Sequence, residues 1–282
     1  MKKYFLLLVG ICAFSIFSAG QTTDTTKHEK IVNNGRFYGS WGYNHEWYTK
    51  SNISVDQPQL NNNFTYEDLN AHDRVGWNNL FHVQPTIPQY NYRIGYFFDE
   101  KQLWGIEISF DHTKYVVWQG GNSPIKGTLN GRQVDSTINI NNSSLYWQLN
   151  NGANWFDINI TRKLPIYASH DNKIVLYGLV KFGIGPNVPH VSDEIFGNWN
   201  NGHFQLGGWN IGAEALIRCT FFQYAFIEYS NHAVYANYSG LKVYGGNGNN
   251  GTAAQSFGAY EWIANIGFTF HLSKTEGTNT AR

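Results

Sequence analysis

The sequence predicts an all-β fold: a transmembrane, antiparallel, eight-stranded up-and-down β-barrel with long extracellular loops and short periplasmic turns. Three observations carry the prediction. Beyond residue 20 no apolar run is long enough for a membrane helix, yet aromatic residues make up 17% of the chain, with Trp 10, Tyr 18 and Phe 19. Apolar and polar residues alternate in eight segments, each about the ten residues a tilted strand needs to cross a bilayer. The connectors between them are alternately long and short, as outer loops and inner turns are, and a soluble sandwich has no reason for that rhythm.

The elements follow in chain order. Residues 1–20, MKKYFLLLVGICAFSIFSAG, place Lys2 and Lys3 before an apolar stretch from Tyr4 to Phe17 and end on small residues, the pattern of a secretory signal peptide. Residues 21–35 are polar and aperiodic and read as a flexible periplasmic leader; the barrel is expected over 36–272, with a tail at 273–282. Its strands are predicted at 36–49, 89–98, 103–117, 153–163, 173–185, 203–219, 223–235 and 258–272. The long connectors are 50–88, 118–152, 186–202 and 236–257. The short ones are DEK at 99–101 and TFFQ at 220–223, with a moderate turn at 164–172.

Within the strands one parity is apolar, as at Trp104, Ile106, Ile108 and Phe110, or at Trp262, Ile266, Phe268 and Phe270. The other parity collects Glu46, Arg93, Glu107, Asp111, Asp157 and Lys181, then Glu214, Arg218, Glu228 and Glu261. Charges at that frequency are costly in lipid and pair in a polar lumen. In a barrel of eight strands side chains nearly fill that lumen, so a plugged interior is expected rather than a pore. Gly183 and Gly185 in FGIGPNVPH imitate a phosphate loop, but no helix follows to aim its amides at an anion. Close approach of a neighbouring strand is the better reading.

Losing the signal leaves 18 basic and 20 acidic residues, a balance that gives no support for nucleic-acid binding. It also leaves Cys219 as the sole cysteine, which excludes an intramolecular disulfide. The expected compartment is the bacterial outer membrane. The expected partners are outer-membrane lipids, lipopolysaccharide with its lipid A above all, around a monomeric barrel.

With the N-terminus in the periplasm, the outer ends of the strands are expected to gather His45, Glu46, Asp111, His112 and Lys114 at one rim. His190, His203, Glu228, His232 and Glu261 are expected beside them. Imidazole and carboxylate bind divalent metals and move protons. Polar rims also arise with no chemistry attached, and no spacing here has the specificity of a dedicated metal motif.

Three stretches, DRVGWNNLFHVQPTIPQYNYRIGYFF (73–98), WGIEISFDHTKYVV (104–117) and VKFGIGPNVPHVSDE (180–194), resemble segments of outer-membrane barrels of the rhizobial-type lipid A oxidase family. FIEYSNHAVYA (226–236) falls where that family has another Glu-Tyr strand. The resemblance implies an enzyme acting on the glucosamine disaccharide of lipid A with oxygen and a divalent metal ion. Asp111, His112, Lys114, Pro189, His190 and Glu228 fall on family-like motif positions. The resemblance thus implies a catalytic set of Asp111, His112, Lys114, His190 and Glu228, with His112, His190 and Glu228 as metal ligands. The chain departs from the family in its longer, Asn-rich outer loops. It also departs at Asn151-Gly152-Ala153-Asn154, where Asp-Gly-x-Asn is expected; an amide there weakens the metal inference. Two other functions stay open: a non-enzymatic structural or surface-interaction barrel, and a lipid A deacylase using Ser230 and His232, whose order is reversed from the deacylase motif.

Overall fold

The computed structural model describes residues 37–76, 88–99, 101–244 and 250–270. The signal peptide, leader and C-terminal tail expected from the sequence lie outside the described residues. Eight strands build the wall: β1 (Phe37–Tyr48), β2 (Tyr90–Phe97), β3 (Trp104–His112), β4 (Trp155–Ala168), β5 (Ile174–Pro186), β6 (Gly208–Phe221), β7 (Ala225–Tyr244) and β8 (Asn250–Phe270). Each is antiparallel to the next, and β8 returns to β1 in register from Phe37↔Phe270 to Tyr48↔Ala259. The sheet is therefore closed, which removes the edges and satisfies the wall's backbone groups without water. Among the described residues the one helical piece is a short 3-10 turn at Pro58–Leu60.

The inner turns are tight for local reasons. Gln102 donates its backbone N–H to Asp99 in the first, and Asn172 to Ser169 in the second. In the third, Phe222 and Gln223 take the left-handed backbone (φ 51° and 71°) that so short a reversal requires. The alternation does what the sequence predicts. Glu46, Arg93, Glu107, Asp111, Asp157, Lys181, Glu214, Arg218, Glu228 and Glu261 are all buried. Ile108 on the opposite parity is 63% exposed, and Ile94, Ile158, Ile184 and Ile266 are exposed with it. These residues form an apolar belt around the wall. A soluble protein would hide such a belt, whereas a bilayer solvates it. Trp47, Trp262 and Tyr92 ring its outer boundary, and Phe98, Phe222, Tyr224 and Phe270 its inner one. Gly183 and Gly185 mark close approach: a Cβ there would stand 2.1 Å from Asn159 Oδ1 and 1.6 Å from the Phe156 carbonyl oxygen.

The long connectors depart from their expectation as loops. They are β-structure that carries the wall outward, with strands at Ser51–Gln57, Asn62–Leu69, Ala71–His72, Tyr115–Val117, Asn122–Leu129, Arg132–Asn139, Leu145–Leu149, Ser192–Ile195 and Asn198–Asn201. The outer ends of β7 and β8 run on as a hairpin arm, and Ser51–Gln57 pairs with β8, so that the wall spreads into a second tier. The interior of that tier is apolar: Ile53, Phe64, Leu145, Trp147, Val191 and Leu241 belong to one buried cluster. Its buried indole N–H groups are satisfied. Trp155 Nε1 donates to the Tyr238 hydroxyl (2.8 Å), and Trp147 Nε1 donates to Gln255 Oε1 (3.0 Å).

Candidate functional site: the barrel lumen

Because every second residue of each wall strand points inward, the strand registers stack the lumen charges in levels. At the inner end Arg218, on β6, lies opposite Glu228 on β7 and its Nε donates to Glu228 Oε1. The same guanidinium lies over the rings of Tyr38 (4.2 Å) and Phe226 (4.1 Å). In the middle, Lys181 Nζ bridges Glu107 (2.9 Å) and Glu214 (3.3 Å), and Tyr38 donates its hydroxyl proton to Glu107 Oε2 (2.6 Å). Arg93 Nη1 stands 2.7 Å from Asp111 Oδ1.

At the outer end, Glu46 on β1 and Glu261 on β8 are directly opposite in register. Asn44 Nδ2 donates to both carboxylates, at 2.7 and 2.8 Å. His232 Nδ1 stands 2.9 Å from Glu261 Oε2, and Gln89 Nε2 donates to Glu46 Oε2. Buried ion pairs at this density fill and fix the lumen; breaking one leaves an uncompensated charge.

The sequence-predicted site residues do not share one location. Glu228 is a correction to the expected rim: β7 starts at an inner turn, so its fourth residue remains at the inner end, beside Arg218. His45 faces outward rather than into the lumen, and its Nδ1 contacts Asp73 Oδ2. His112 ends β3, stacks on Tyr90 (centroids 4.7 Å apart) and pairs Nδ1 with Asn154 Oδ1 (2.8 Å). Lys114 is buried just beyond it, and burial lowers its pKa, with Arg74 adding to the effect. His190 belongs to the outer tier, edge-on to Phe204, and burial pushes its imidazole below the usual range. His112, His190 and Glu228 therefore form no common ligand set. The residues present do not fit the metal site that the resemblance implies.

A different trio does converge. Among the described residues one group of three offers ligand atoms all within 4.8 Å of one another: Asp111 from β3, His232 from β7 and Glu261 from β8. Sequence reasoning placed all three in the larger rim gathering without singling them out as a set. The strand register brings them together, and the alignment of β7 and β8 that sets His232 opposite Glu261 was the available signal. Asn44 and Gln89, which hold the carboxylates in place, gave no signal because neutral amides in strands look like filler.

No protein-family model matches the chain, and none of the curated proteins does. Solved structures similar to it are outer-membrane proteins. The outer membrane protein OprG from Pseudomonas aeruginosa is 11% identical, with 84% of this chain and 97% of that one covered and a TM-score of 0.36. The outer membrane protein AlkL is 9% identical over 91% and 99%, at 0.39, and Neisserial surface protein A 7% over 83% and 97%, at 0.33. At such scores the likenesses carry nothing beyond themselves. The chain's own closed sheet, even strand number and apolar belt make it a β-barrel of the outer-membrane class.

Proposed function

We propose that the protein is a sealed surface-interaction barrel: a membrane anchor that holds an ordered β-platform outside the outer membrane. The observation that supports it is the buried apolar cluster of the outer tier, in which Trp147, Trp155, Tyr115 and Tyr238 pack over the mouth of the lumen. A channel keeps a wet path there, and an enzyme for a large lipid keeps a cleft. A packed mouth above a lumen of ion pairs suits neither and suits display of the outer strands. One outer edge is available for contact: among the described residues the strand Arg132–Asn139 pairs only with Asn122–Leu129.

The test has two arms. Purified barrel in planar bilayers should show no stepwise ion conductance. Cells displaying the protein should bind glycan or cell surfaces that cells displaying a version with 122–139 replaced by a short turn do not bind. Stepwise conductance, or binding indifferent to that replacement, overturns the reading.

The second reading is lipid A oxidation at the outer leaflet with a divalent cation. Its support is the family resemblance together with the Asp111–His232–Glu261 group. That group faces the lumen, so lipid would need a lateral route through the wall. Ser230 of the deacylase reading also faces the lumen and is buried there. Mass spectrometry of lipid A from cells with and without the protein tests both: an oxidised product supports the oxidase, and loss of an acyl chain the deacylase.

A further inference from the structure

We propose that Asp111, His232 and Glu261 hold one divalent transition-metal ion, a structural tie across the lumen that pins β3 to β7 and β8. Their ligand atoms lie within 4.8 Å of one another, and all three side chains are buried. One imidazole nitrogen with carboxylate oxygens is a donor set that zinc, manganese, iron and cobalt accept. Around a zinc ion such atoms stand roughly 3.4 Å apart, from bond lengths of about 2.1 Å. Loading therefore asks the trio to close by at most about 1.4 Å, which side-chain torsions supply.

Polar atoms beside the trio indicate a missing ligand. Asp111 is fully buried; its Oδ1 is paired with Arg93 Nη1 at 2.7 Å, while its Oδ2 accepts no hydrogen bond. Asp157 Oδ1, within electrostatic reach of His232 and Glu261, is buried and without a hydrogen bond as well. So is Asn44 Oδ1, on the side chain whose amide bridges Glu46 and Glu261. Buried acceptors in that condition are costly, and a cation satisfies several at once. The surrounding network also resembles what metal sites use to orient their ligands, with Asn44 donating to Glu261 and Arg93 set against Asp111. With the mouth packed above and the inner end blocked by Arg218, the ion enters as the barrel closes.

The experiment is refolding of the full chain into detergent with Zn2+, with Co2+ or with chelator, followed by gel filtration and elemental analysis. The wild type should carry about one ion per barrel, and Co2+ should give visible d–d absorption with an imidazole–carboxylate signature. H232Q and E261Q should lose the ion and the absorption while still migrating as heat-modifiable, folded barrels. H112A and H190A should retain both. Metal should raise the wild type's thermal midpoint and leave those of H232Q and E261Q unmoved, because only the native state offers the site. A wild type that folds equally with and without metal and carries none overturns the proposal, whatever the variants do. So does full occupancy in both H232Q and E261Q.

Discussion

Asp193 shows how the outer tier constrains a single residue. It is fully buried on the strand Ser192–Ile195, accepts a hydrogen bond from Asn200 Nδ2 (2.6 Å) on one oxygen and has none on the other. Burial raises its pKa from 3.8 to about 7. Below the unfolded value both states hold the proton. Between the unfolded and folded values only the native state holds it, so stability falls as pH rises through that window and is level above it. Asp193→Asn keeps an acceptor for Asn200 and should abolish the fall, leaving the variant more stable at pH 8 by on the order of 1–3 kcal/mol. Amide hydrogen exchange of the 192–201 hairpin at pH 4.5 and pH 8 measures it. Equal protection in both proteins at pH 8 would sink the argument.

At the scale of the element, the strand alternation makes opposite demands on neighbouring residues. Ile108→Arg, at the centre of β3 on the lipid face, should lower folding stability in vesicles by about 2–4 kcal/mol, whereas Ile166→Arg near the inner rim should cost about 0–1 kcal/mol. Urea titration of both variants in the same vesicles decides it, and equal penalties would mean that the belt does not face lipid. This alternation is what made the eight wall strands legible. A period of two survives in any strand whose faces meet different solvents, so parity alone assigned Glu107 inward and Ile108 outward. The outer strands were missed because both solvents there are aqueous or internal, and long connectors pass for loops. Part of the signal was present. Asn130-Gly131 is the two-residue turn of a tight hairpin, and both residues adopt positive φ (50° and 73°). SNISVDQ also alternates cleanly in its burial. The candidate site was less legible than the strands, because proximity across a lumen depends on registers that no single segment encodes. Glu228 was misplaced by a miscounted distance along β7, not by a misread face.

The whole molecule has a direction, with tight turns at one end and the platform at the other. A tag inserted after Gly131, at the tip of an outer hairpin, should be labelled by antibody on intact cells. A tag at 99–102 should be labelled only after permeabilisation, and the reverse pattern would invert the orientation. The seam between β1 and β8 joins Phe37 to Phe270, so the first wall strand waits for the last before the ring can shut. No partial length of this chain has a finished wall, and the pairing that closes it is the most distant in sequence, which carries the largest loop-closure cost. The nascent polypeptide must therefore reach the membrane complete and still unfolded, which makes its assembly a single late event, hostage to whatever guards the chain in transit.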